Sequence, residues 1–95
     1  MSDQDQPRPQ QQRVNVQLSD DLKQGTYANF LVVSHSPHEF TLDFCQLQPG
    51  EPGQVQAEVV SRVRIAPTLV AKVIQALNTN LNGYEEKWGS VKAIG

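Results

Sequence analysis

The stretch PTLVAKVIQALNTNLNGYEEKW, residues 67–88, carries Val70, Val73, Ile74, Leu77, Leu81, Tyr84 and Trp88 at helical spacing. These positions fall at i, i+3, i+4, i+7, i+11, i+14 and i+18, one apolar stripe along a single long helix. Lys72, Gln75, Asn78, Asn80, Asn82, Glu86 and Lys87 occupy the other face. Pro67 suits a first helical turn, where its missing N–H costs nothing. Ala66 before it has no side-chain acceptor and is a poor cap. Gly83 weakens the middle of the pattern, and Gly89 follows Trp88 as a plausible terminator. A helix of this length spans roughly 30 Å, enough to cover a small sheet.

Everything before it reads as strands. Residues 13–20 alternate, with Val14, Val16 and Leu18 on one side and Asn15, Gln17 and Ser19 on the other, the pattern of a half-buried strand. Gly25 marks a turn. Residues 26–35 hold the densest apolar run, Tyr27, Ala28, Phe30, Leu31, Val32 and Val33, with both faces apolar. Such a strand is buried on both sides. One helix covers one side, so the other asks for a second layer, and a second copy of the chain is the expected source. Tyr27, Asn29, Leu31 and Val33 are the candidate interface residues. The turn at residues 34–38, built on Pro37, joins this run to residues 39–47, where Phe40, Leu42 and Phe44 oppose Thr41, Asp43 and Cys45. The pair reads as an antiparallel hairpin. PGEPG at 49–53 is an exposed loop. Residues 54–65 form a further run, with Val55, Ala57, Val59, Val63 and Ile65 on one parity and Glu58, Val60, Arg62 and Arg64 on the other. Its length admits a bend or bulge.

The predicted fold is α+β: an antiparallel sheet of about four strands followed by one long C-terminal helix, dimeric. Residues 13–89 make one domain. Residues 1–12, rich in Gln with Pro7 and Pro9, make a disordered N-terminal tail, and residues 90–95 a short C-terminal one. Ninety-five residues support only a modest core, which disulfides, metals or oligomerisation must assist. Cys45 is the only cysteine, so oligomerisation is the remaining aid. A lone cysteine fits a reducing compartment. With no signal-peptide core and no apolar run of membrane-spanning length, the chain is expected to be cytoplasmic. Eight basic against ten acidic residues give a net charge of −2 and no electrostatic footprint for nucleic acid or an anionic membrane.

Several segments together resemble a known family. They are GTYAN at 25–29, HSPHEF at 35–40, LDF at 42–44, PG at 49–50, RVRIAP at 62–67 and YE at 84–85. In this order, across residues 14–89, the chain resembles short bacterial proteins catalogued as Domain of Unknown Function 3467. Ala66 departs from that pattern, which tends to place a hydroxyl residue before the helix-starting proline. The resemblance implies a compact cytoplasmic module and assigns no catalytic residues.

No chemical constellation emerges. His35 and His38 share one turn, but two ligands without a third make no metal site, even with Glu39 and Asp43 nearby. Cys45 lies on an alternating strand without a basic environment to make it a nucleophile, and reads as structural. The carboxylate pairs at 20–21 and 85–86 diverge and read as solvated charge. No phosphate-binding loop or dinucleotide fingerprint is present. Arg62, Arg64 and Lys72 suggest a small basic patch near the strand–helix junction. The expectation is a non-enzymatic homo-oligomeric interaction or assembly module, needing no cofactor or metal. Two alternatives stay open: a chaperone-like adaptor binding an extended peptide at a sheet edge, and a ribbon-type nucleic-acid-binding protein using Asn15 and Gln17.

Overall fold

In a computed structural model, residues 13–92 are described. The tail expected at 1–12, and the end of the C-terminal tail at 93–95, lie outside them. Three strands and one long helix follow in order: β1 (Phe30–His35), β2 (Phe40–Pro49), β3 (Val55–Ile65) and α1 (Pro67–Trp88). The strands form one antiparallel sheet in the order β1-β2-β3, a simple meander. The sheet has three strands rather than about four. Residues 13–19 alternate as expected but join no ladder and run exposed, ending in a short 3-10 turn at Asp20–Leu22. Alternation supplies a strand with an apolar side. Only a neighbouring backbone supplies its hydrogen bonds, and among the described residues no strand stands beside it.

The β1–β2 hairpin forms where expected. Ser36 donates its N–H to the Glu39 carbonyl at 2.9 Å, and His38 N–H donates to Ser36 Oγ at 3.2 Å. His35 and Phe40 face each other across the first ladder rung, with ring centroids 5.2 Å apart and 22° between planes. β1 starts at Phe30 instead of residue 26, because the preceding residues attach to β2 mainly through side chains. Leu47 N–H donates to Asn29 Oδ1 at 2.9 Å, and Gln46 Nε2 donates to the Tyr27 carbonyl at 2.9 Å.

α1 has the expected bounds. Ala66 gives no side-chain cap, and its carbonyl receives the Leu69 N–H at 2.9 Å. Gly89 terminates the helix at φ +99°, donating its N–H to the Glu85 carbonyl at 2.9 Å. That left-handed conformation favours glycine. Gly83 is different, since a Cβ added there meets nothing within 4 Å. Gly83→Ala therefore raises stability by about 1 kcal/mol through helix propensity alone, read as an upward shift of the thermal midpoint by circular dichroism.

The helix crosses one face of the sheet. Residues paired across the ladders share a face, so Leu31, Val33, Phe40, Leu42, Val63 and Ile65 lie on the same side. Between that side and the helix runs an open groove of about 250 Å³. Val70, Val73, Ile74 and Leu77 form its helical wall.

Candidate interaction surface

A register shift between Phe44 and Cys45 decides the surface of the sheet. Phe44 stands opposite Ser61, but Cys45 stands opposite Val59, leaving Val60 as one extra residue on β3. A bulge of this kind changes which parity of the strand faces which side. Below it, Val63 and Ile65 share the helix side with Leu42 and Phe40. Above it, Val55, Ala57 and Val59 pair with Pro49, Leu47 and Cys45 on the opposite side. β2 keeps its alternation, but its apolar residues switch sides at the same point: Phe40, Leu42 and Phe44 face the helix, whereas Cys45 and Leu47 face away.

The sheet is thus amphipathic in opposite senses at its two ends. At the hairpin end the helix side is apolar, and the far side holds Thr41, Asp43, Arg62 and Arg64. At the other end the helix side is polar, with Gln48 Nε2 donating to Glu58 Oε1 at 2.7 Å. There the far side is apolar, carrying Phe30, Leu47, Val55 and Val59, with Val32 opposite Asp43 at the boundary, all five exposed. This patch lies on the side of the sheet that the helix does not cover.

Ion pairs fill the far side of the hairpin end. Arg62 holds Asp43 through two of its nitrogens, Nε to Oδ1 at 2.6 Å and Nη2 to Oδ2 at 3.0 Å. Asp43 is only 8 % exposed, and the fork geometry is the strong form of this contact. The guanidinium hydrogen bond holds the Asp43 carboxyl below its ordinary value of 3.8, against the opposing effect of burial; Arg62 is correspondingly raised. Arg64 Nε lies 3.5 Å from Glu39 Oε2. Two members of the basic patch expected from Arg62, Arg64 and Lys72 are therefore paired with carboxylates, Asp43 of β2 and Glu39 of the preceding turn.

Leu31 and Val33 line the groove. Tyr27 and Asn29 precede β1, and Asn29 Oδ1 and the Tyr27 carbonyl accept bonds from β2. Cys45 is 1 % exposed and is the one fully buried apolar side chain among the described residues, its Sγ 3.5 Å from the Asp43 carbonyl. Among those residues no three His, Cys, Asp or Glu side chains gather into a group able to hold a metal. No helix among them is long and apolar enough to cross a membrane.

Sequence reasoning missed Phe30, Val32 and Leu47 as surface residues of the far side. The signal was present in FTLDFCQLQP at 40–49, where two adjacent apolar residues, Phe44 and Cys45, break the alternation. The helix adds a second surface. Ile74, Leu77, Leu81, Tyr84 and Trp88 are all exposed. With Val70 they recur at spacings of 4, 3, 4, 3 and 4, the repeat that meets another helix knobs-into-holes.

Residues 1–93 match the family model described as Protein of unknown function (DUF3467), and the chain belongs to that family. No curated protein and no solved structure matches it.

Proposed function

Starting from membership of a family whose description assigns no activity, we propose that the chain is a homo-oligomeric assembly module that works by presenting surface rather than by catalysis. The observation that carries this reading is the distribution of apolar side chains. Among the described residues Cys45 alone is fully buried, while large hydrophobic residues of both faces of β1, the far side of the sheet and the helix stripe stand in solvent. Folded domains remain stable by a margin of only about 5–15 kcal/mol, most of it set by apolar burial against chain entropy. A sheet and helix that enclose one cysteine fall short of that margin alone. Contiguous exposed apolar surface of this extent marks an interface.

A second reading, capture of an extended peptide along a sheet edge, draws on the uncharged outer edge of β1. Light scattering on the full chain at micromolar concentration separates the two. Twice the chain mass or a higher multiple is expected without added partner. A monomer with a cooperative thermal transition would overturn the assembly reading.

A further inference from the structure

We infer that two copies join through β1, edge to edge and antiparallel, into one six-stranded sheet carrying both helices on the same side. This rests on the assembly reading above and specifies its geometry. The two edges of the sheet differ. β3 is guarded by charge, with Glu58, Arg62 and Arg64, and by the bulge at Val60, the devices that discourage edge pairing. β1 has none of them. FLVVSH contains no Lys, Arg, Asp, Glu or Pro, its six residues are exposed, and among the described residues no segment pairs with its outer edge. Half of its backbone donors and acceptors point outward, and the edge of a second copy is their natural complement.

The groove points to the same occupant. Its walls at Phe40, Leu42, Ile65, Val70 and Val73 are partly covered, whereas Leu31, Val33, Ile74 and Leu77 are exposed. The mouth therefore opens along β1. A two-fold axis perpendicular to the sheet at this edge brings two such mouths together and sets the two helices side by side. The stripe of Ile74, Leu77 and Leu81 then finds a helix to pack against. One contact thus completes the edge, closes the groove and covers the stripe.

Register follows from facing. Cross-strand neighbours share a side of the sheet, so β1 pairs with its copy only in registers where residues of like parity meet. The axis consequently passes between the two copies of a single residue at the strand centre, Val32 or Val33. Directly opposed Cβ atoms lie about 4.5–5.5 Å apart and diagonal ones about 7–8 Å, so a disulfide forms at one of these positions and not at the other.

The test places Val32→Cys, Val33→Cys or Ala57→Cys in a Cys45→Ala background and oxidises each with copper phenanthroline. Expected is a covalent dimer from one of the two β1 variants and its loss from the Ala57 variant on the guarded edge. A chain that is dimeric by light scattering but cross-links at neither β1 position, or cross-links at Ala57, overturns the edge geometry and leaves the assembly reading standing. A monomer overturns both. Hydrogen exchange on the unsubstituted chain gives an independent reading should the variants fail to fold. Protection of every amide from residue 31 to 34 supports pairing, and rapid exchange at alternate amides rejects it.

Discussion

Leu77→Lys lowers the thermal midpoint by roughly 8 °C or more and shifts the chain toward monomer. In a single chain the substitution should be nearly silent. Leu77 is 66 % exposed, and surface replacements usually stay within about ±0.5 kcal/mol. If another copy covers this turn of the helix, the new ammonium loses its water on assembly. The cost then rises to about 2 kcal/mol or more. For a domain of this size each kcal/mol moves the midpoint by about 4–8 °C. The effect should shrink as protein concentration rises, because assembly stabilises by mass action. Asn78→Lys, on the polar face one residue on, is the control and should change neither midpoint nor mass. A silent Leu77→Lys would mean that this part of the stripe stays in water.

The second large effect is a reversal of pH dependence in Arg62→Leu. In the unsubstituted chain the folded Asp43 pKa lies below its ordinary value of 3.8. The unfolded state therefore binds the proton more readily. The stabilisation is complete above that value and is lost as pH falls through it toward the lower folded one. Removing the guanidinium takes away the Arg62 hydrogen bond and charge that lower the pKa, leaving the burial that raises it opposed only by the weaker attraction of Arg64. The folded pKa then exceeds the unfolded one. Arg62→Leu should be destabilised at neutral pH and recover stability as Asp43 is protonated. Chemical denaturation between pH 7 and pH 4 checks this. A variant that loses stability on acidification in parallel with the unsubstituted chain would show that Asp43 is solvated rather than held by Arg62.

Residues that declare themselves locally were legible in the sequence. The helix was bounded by Pro67 at one end and Gly89 at the other, each acting through its own backbone geometry. The hairpin around Pro37 was legible for the same reason. What escaped depends on pairing. Residues 13–20 carry the alternation of a strand, yet alternation names a side and not a neighbour. The Asp43–Arg62 fork required knowing that these residues, 19 apart in sequence, stand directly opposite in the ladder. Leu31 and Val33 were expected at an interface from the two-faced character of their strand, yet they lie on the helix side, and the far-side residues Phe30 and Val32 became distinguishable only once the helix had been assigned to one side. A bulge was admitted in the last strand from its length, but its place between the two halves of Val55–Ile65 is set by β2 and had to be seen.

That single extra residue, Val60, has a consequence for how sequence change accumulates in this protein. It divides the apolar content of β3 between two populations of neighbours. Val63 and Ile65 answer to the helix side, and Val55, Ala57 and Val59 to the far side. Substitutions in the two sets share few contacts, and effects at separated sites without shared partners add to within about 0.3–0.5 kcal/mol. The far-side patch can therefore drift, or be redesigned for a different partner, while the helix keeps its seat. One strand carries two independently adjustable surfaces, and a double-mutant cycle between Val55 and Ile65 should find almost no coupling between them.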